Sequence, residues 1–169
     1  MDRIVWSADL DTGIKEIDLQ HRRIVTYINV LGTLRTSKNR QKQAEAIADT
    51  AQYIESHFAF EESLLEQVGY SFAGPHKKIH ELFTRRITTI QERFAAGEDV
   101  VGELHKGLSR WLLGHIRTED RAYAETVKKY LRRTRAQQTD GLRVNGDSLL
   151  PEPEPQGQKQ GWLARWLAR

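Results

Sequence analysis

Apolar residues recur at alternating steps of three and four along four stretches of the chain, the spacing of helices that bury one face in a bundle. The four patterns cover residues 17–31, 44–68, 76–94 and 101–115. Short segments containing Gly, Ser, Asn or Asp separate them. Because such short connections force neighbouring helices to run antiparallel, the sequence predicts an all-α, up-down-up-down four-helix bundle. An extended N-terminal segment precedes the predicted bundle.

The C-terminal part of the chain changes in composition. We expect residues 1–135 to form the bundle domain, including a short fifth helix over about 121–135. Residues 136–160, rich in Pro, Gly and Gln, read as a flexible linker. Residues 161–169 form a short amphipathic segment that carries Trp162, Leu163, Trp166 and Leu167 on one helical face. That face suits docking on a membrane surface or a protein partner, with packing on the bundle or disorder as alternatives.

Composition excludes several classes of site and partner. The chain of 169 residues contains no cysteine, which rules out disulfides, thiolate metal sites and cysteine nucleophiles. Its first residues show no basic and apolar leader, so we expect a cytoplasmic protein, with peripheral membrane attachment through the terminal segment left open. The basic excess lies in residues 127–169, with 9 Lys and Arg against 4 Asp and Glu. No nucleic-acid recognition motif accompanies it, so nucleic-acid binding is not expected.

Ionisable residues occupy positions where a bundle normally places apolar ones. Leaving them buried without partners would cost several kcal/mol, since one unpaired polar group alone costs about 1–3 kcal/mol. A metal centre satisfies imidazoles and carboxylates together. In an antiparallel bundle the starts of odd helices and the ends of even helices share one end, which brings these residues to one level. They are His21, His57, Glu61, His76, His80 and His115.

The spacing within each helix supports one shared centre. His57 and Glu61 are four residues apart, as are His76 and His80, so each pair projects from one helix face. Asp120 follows His115 by five residues, which places it about 140° away on a regular helix at 100° per residue. If Asp120 joins the centre, the helix must bend there, through a π-bulge or a turn.

Five imidazoles and two carboxylates exceed what one tetrahedral zinc requires. The set suits two metals about 3.5–4 Å apart. Imidazole ligands suit iron, copper, zinc and nickel, so the ligand type alone does not select iron. The paired Glu-x-x-His motifs of ferritin-like carboxylate sites are absent from the sequence, which argues against that class.

Four motifs together resemble the bacteriohemerythrins. They are the run 13–21 ending in His21, the run His57-Phe-Ala-Phe-Glu61-Glu62, the spacing His76-x-x-x-His80, and His115-Ile116-x-x-x-Asp120. The resemblance covers about residues 1–135 and matches all seven ligand positions of that family. It implies a di-iron centre bridged by an oxo or hydroxo group and by Glu61 and Asp120.

The resemblance further implies a division of the imidazoles. His76, His80 and His115 would hold one iron, and His21 and His57 the other, which keeps an open position where O2 binds reversibly. The helical neighbours of the ligands are candidates for the dry wall of an O2 pocket: Ile24, Val25, Phe58, Trp111, Leu112 and Ile116. For Trp111, simple core packing is an equal alternative.

The function expected from this resemblance is O2 carriage, storage or delivery, and not catalysis. Two alternatives use the same ligands: a sensor that signals through its tail, and an enzyme that reduces peroxide or nitric oxide. Two residues near the set are assigned to the surface. His105 lies about 15 Å from His115 along the helix axis, at 1.5 Å per residue, and is expected to face solvent. Glu62 is expected to point away from Glu61.

Overall fold

The computed structural model describes the backbone of residues 3–144 and the side chains of residues 3–137. Its helices are α1 (Lys15–Leu34), α2 (Arg40–Val68), α3 (Ala73–Ala95), α4 (Val101–His115) and α5 (Arg121–Val144), with a π-helical turn at Ile116–Asp120. The N-terminal segment is extended except for a 3-10 turn at Ala8–Leu10. Helix α1 packs against α2 and α4, and α2 packs against α3. The predicted four-helix bundle is confirmed.

The core of the bundle is built from the apolar seam positions. In α1, Ile17, Ile28 and Leu31 are completely buried. Leu104 and Leu108 of α4 are 2% and 1% exposed. Ile28, Leu31, Leu104 and Leu108 fill the bundle beyond the helix ends that carry the predicted metal ligands, whereas Ile17 lies one turn before His21. None of the described helices is long and apolar enough to cross a membrane.

The loop between α2 and α3 begins with a glycine that the backbone requires. Gly69 has φ of +70°, in the left-handed region, where a side chain would be strained. Its N–H donates to the carbonyl of Glu66 at 3.1 Å, and the N–H of Tyr70 donates to Leu65 at 3.0 Å. These bonds satisfy the last carbonyls of α2. The chain turns sharply enough for α3 to begin at Ala73.

The start of α4 lies one residue after Asp99, a residue type that favours the N-cap position. The N-cap residue is instead Val100, and no side chain caps the helix there. Val100 is completely buried, and its carbonyl accepts a hydrogen bond from the N–H of Leu104 at 2.9 Å.

The fifth helix begins at Arg121, as expected, and continues to Val144, past the expected end near Arg135. The sequence contains no proline between Arg121 and Pro151, so nothing breaks the helix earlier. Tyr123, Ala124 and Val127 are its buried residues among the described side chains. The rest of the predicted linker and the Trp-containing segment at 161–169 lie outside the described residues and stay predictions.

Candidate metal centre

The structure brings all seven predicted ligands together at one end of the bundle. None of them is more than 4% exposed. Each of the four bundle helices contributes, because the start of α1 and α3 and the ends of α2 and α4 lie at the same end. The seven are His21 of α1, His57 and Glu61 of α2, His76 and His80 of α3, His115 of α4 and Asp120 of the π-helical turn.

Asp120 lies between two groups of imidazoles. Its Oδ2 atom is 3.3 Å from Nε2 of His21. Its Oδ1 atom is 3.0 Å from Nε2 of His115 and 3.9 Å from Nε2 of His76. The two oxygens therefore face opposite sides, which is the arrangement of a carboxylate able to bridge two cations.

Glu61 of α2 contacts imidazoles of α2 and α3. Its Oε1 atom is 3.4 Å from Nε2 of His76, and its Oε2 atom is 3.5 Å from Nε2 of both His57 and His80. The candidate ligand atoms of Glu61, His76, His80 and His115 all lie within 4.8 Å of one another. This separation suits atoms that surround a common ion.

The π-helical turn explains how Asp120 reaches the centre. Hydrogen bonds in a π-helix join residues five apart, so the turn brings positions five apart onto one face. His115 ends α4 and Asp120 ends the π-helical turn. The break in the regular helix expected from the five-residue spacing is confirmed.

Most inward-facing polar atoms of the cluster have no hydrogen-bond partner among the described residues. Leaving such atoms unsatisfied costs about 1–3 kcal/mol each, and more where the group is charged. Nitrogen and oxygen atoms aimed at a common point are what a cation requires, so the residues fit a bound metal. The unpartnered atoms are Nε2 of His21, His57 and His76, both Oε atoms of Glu61 and both Oδ atoms of Asp120.

Comparison with known proteins identifies the family. Residues 12–127 match the family model described as the hemerythrin HHE cation binding domain. The chain belongs to the hemerythrin family. Bacteriohemerythrin from Stenotrophomonas maltophilia is 41% identical over 169 residues, covering 100% of this chain and 98% of that protein. Bacteriohemerythrin from Pseudomonas aeruginosa PAO1 is 47% identical over the same shares of the two chains.

A solved structure supports the same fold. Wild-type hemerythrin superposes with a TM-score of 0.71 at 25% identity, and the match covers 73% of this chain and 97% of that one. A more distant bacteriohemerythrin, from Methylococcus capsulatus, is 30% identical over 73% of this chain. The region that the family model matches, residues 12–127, contains all seven side chains.

Behind the metal-ligand cluster, two polar side chains hold the outer ring nitrogens of two histidines. Nδ1 of His57 lies 2.9 Å from Oε1 of Gln20, which accepts its proton. Nδ1 of His80 lies 3.1 Å from Oε1 of Glu62. A proton held on Nδ1 leaves Nε2 free to bind a cation, and such partners orient the ring.

Glu62 contacts the His80 ring, so the expectation that its side chain points away from the cluster is wrong. Its side chain is 17% exposed and also pairs with Lys77, at 3.1 Å. Consecutive residues on a helix are 100° apart, yet the long Glu62 side chain reaches the outer edge of the His80 ring, while Glu61 faces its inner edge. Sequence reasoning also missed Gln20, although it stands directly before His21.

Tyr123 is a second residue that the sequence interpretation missed. It is completely buried, its ring centroid lies 5.6 Å from that of His76, and its hydroxyl has no hydrogen-bond partner among the described residues. It follows Asp120 by three residues on a continuing helix, and this spacing is the signal that places it beside the cluster.

Aromatic side chains cover the imidazoles. The Phe58 ring stacks on His80 with centroids 3.8 Å apart and planes 5° apart. Trp111 stacks on His115 at 4.4 Å and, at 3.8 Å, on Phe83. Trp111 is partly exposed, whereas the other proposed wall residues are buried: Ile24, Val25, Phe58, Leu112 and Ile116.

His105 contradicts the expectation that it faces solvent, since it is only 1% exposed. Its ring packs against Gly32 of α1, where an added Cβ would lie 2.9 Å from Nε2. The missing side chain at Gly32 makes room for the imidazole. His105 is separate from the cluster, ten residues before His115.

Burial keeps the imidazoles of His21, His57, His80 and His115 neutral in the metal-free molecule. It lowers the pKa of His80 to about 3 and that of His115 to about 4. Burial also lowers the pKa of His21 and of His57. Burial and the nearby Glu61 carboxylate raise the pKa of Asp120 well above its ordinary value. Neutral imidazoles are the form that binds metals.

Replacing Glu62 tests the hydrogen bond behind His80. Glu62→Ala should lower metal affinity by about 10- to 100-fold, because His80 loses the partner that orients its ring. Affinity is measured by competition with a chelator. Glu66→Ala, one turn further along α2 and exposed, is the matched control and should bind metal like the unmodified protein. Equal affinity in both variants would contradict the role given to Glu62.

The depressed histidine pKa values predict acid sensitivity of the metal-free protein. The unfolded chain takes up protons near the ordinary histidine pKa of 6.5, whereas the folded chain does not until His115 titrates near 4 and His80 near 3. The free energy of unfolding should therefore fall as the pH drops from about 6.5 to 4.5. The raised pKa of Asp120 instead increases the free energy of unfolding as the pH falls. This one carboxyl is outweighed by the four imidazoles whose pKa values are lowered.

Urea midpoints of the metal-free protein between pH 7.5 and 4.5 measure this effect. His115→Gln should flatten the dependence, since one imidazole with a low pKa is removed. A midpoint that is constant or rises as the pH falls would show that the imidazoles are not held neutral by the fold.

Proposed function

We propose that this chain binds O2 reversibly at a non-haem di-iron centre and serves in O2 carriage, storage or delivery. His76, His80 and His115 would hold one iron, and His21 and His57 would hold the other. Glu61 and Asp120 would each contribute a carboxylate to both irons, and the proposed cofactor includes an oxo or hydroxo group. When bound, the iron pair supplies the two electrons that O2 accepts on binding and returns on release. The observation that carries the proposal is the set of buried ligand atoms without other partners.

The contacts of Asp120 support the division of the imidazoles. One of its oxygens faces His21, and the other faces His115 and His76. Five imidazoles and two carboxylates are more than a single tetrahedral ion can use. Because one group has three imidazoles and the other has two, the second cation retains room for a small ligand.

The surroundings of the cluster support reversible binding over turnover. Reversibility requires that water and external reductants stay away from the bound O2. Leu112 and Ile116 are 1% and 0% exposed, and Ile24 is 2% exposed. The Phe58 ring closes the space against His80. These four side chains are apolar, so none of them can deliver a proton to bound O2.

Spectra of the iron-loaded protein test the proposal. We expect the anaerobically reduced protein to gain a visible absorption band with O2 and to lose it on degassing, over repeated cycles and with one O2 per chain. His21→Ala should abolish the cycle, because it removes one of two imidazoles from the O2-binding iron. Irreversible oxidation in the first cycle would contradict reversible binding.

The apolar wall generates a separate prediction. Leu112→Ala opens space beside His115 and should raise the rate of autoxidation of the O2-bound form several-fold, because water gains access. Leu82→Ala is the matched control, since Leu82 is 62% exposed on α3. The rate is followed as loss of the visible band in air. An autoxidation rate that Leu112→Ala leaves unchanged would remove Leu112 from the protecting wall.

One observation favours reduction of peroxide or nitric oxide as a second candidate function. A reductase needs an electron route, and the stacked rings of Phe83, Trp111 and His115 join the cluster to a partly exposed indole. Steady consumption of a reductant with either substrate, slowed by Trp111→Leu, would support this function. A sensor role depends on the tail beyond residue 144, outside the described residues.

A further inference from the structure

A cavity of about 510 Å³ lies against His105, between α1, α4 and the N-terminal segment. His105 is ten residues before His115, so the cavity is about 15 Å from the metal cluster along α4, at 1.5 Å per residue. The volume falls within the range of about 300–1,000 Å³ that is usual for small-molecule sites. The proposed O2 chemistry makes no use of this cavity.

The walls of the cavity are held in place by specific contacts. Asn29 fixes the N-terminal segment: its Oδ1 accepts from the N–H of Ile4 at 2.8 Å, and its Nδ2 donates to the Ile4 carbonyl at 2.9 Å. This positions Arg3 at the cavity. The Arg35 stem lies against α4, since a Cβ added at Gly102 would be 3.8 Å from its Cγ.

The charge of the lining is entirely positive. Arg3 and Arg35 line the cavity, and no aspartate or glutamate does. Neither arginine forms an ion pair with a carboxylate among the described residues, whereas Arg22, Arg93 and Arg117 each do. Guanidinium groups bind carboxylates and phosphates through paired hydrogen bonds.

Among the described residues, His105 contributes the one lining side chain that comes from α4. It is 1% exposed, and its Nε2 lies on the side of Gly32, which also lines the cavity. Burial, followed by the charge of Arg35, lowers the pKa of His105, so the ring is neutral at pH 7 and carries one N–H donor.

We propose that this cavity binds a small organic oxyanion, through the guanidinium groups of Arg3 and Arg35 and the imidazole of His105. Two arginines neutralise the carboxylate or phosphate group of the ligand. The side chain of Val30 and the aliphatic stems of the arginines lie beside the rest of the molecule. Gly32 is required because any larger residue would displace the His105 ring.

Isothermal titration calorimetry of the iron-loaded full-length protein tests this site, with inorganic phosphate, acetate and benzoate as probes. Tighter binding of phosphate identifies a phosphate site, and tighter binding of benzoate than acetate identifies a site for a carboxylate with an apolar body.

Arg35→Gln should weaken binding of the tightest probe by about tenfold or more. Gly32→Ala should weaken it as well, through displacement of His105. Arg86→Gln, an exposed arginine of α3, is the control with the same charge change and should leave binding unchanged.

Three results would overturn the proposal. One is the absence of binding heat for all three probes. Another is equal weakening by Arg35→Gln and Arg86→Gln, which would show general attraction to a basic surface. The third is binding that changes the visible spectrum of the irons and is insensitive to Arg35→Gln, which would place the anion at the metal centre. The O2 cycle is measured separately, so its failure would be distinguishable from failure of this site.

Discussion

The structure depends on compensating the charge and polarity buried at one end of the bundle. Glu61 and Asp120 are completely buried, and both oxygens of each carboxylate lack hydrogen-bond partners among the described residues. Burying polar groups in this way is unfavourable unless a cation joins them. His80 and His115 cannot supply the charge, because burial lowers the pKa of His80 to about 3 and that of His115 to about 4. A bound cation compensates these buried groups and thereby stabilises the folded state.

The remainder of the bundle serves to hold these ligands still. Ile17, Ile28 and Leu31 of α1 are completely buried and anchor one wall. Gln20 and Glu62 hold the outer nitrogens of His57 and His80, which leaves the inner nitrogens directed at the centre. The π-helical turn at Ile116–Asp120 brings the Asp120 carboxylate back to the His115 ring.

Much of this arrangement could be predicted from the sequence because it depends on periodicity. Histidines on apolar seams, near helix ends that an antiparallel bundle brings together, predict a shared centre. The five-residue spacing from His115 to Asp120 predicts the irregular turn. The burial of His105 could not be predicted, because it depends on the absence of a side chain at Gly32, on another helix. The contact of Glu62 with His80 could not be predicted either, because helix periodicity gives the direction of the Cα–Cβ bond and not the position that a long side chain reaches.

Crystallography with anomalous scattering at the iron edge tests most directly whether the seven side chains hold two irons. We expect two iron peaks about 3.5–4 Å apart, one beside His76, His80 and His115 and the other beside His21 and His57, with Asp120 and Glu61 between them. A single peak, or anomalous density that does not change across the iron edge and fits zinc, would contradict a di-iron centre.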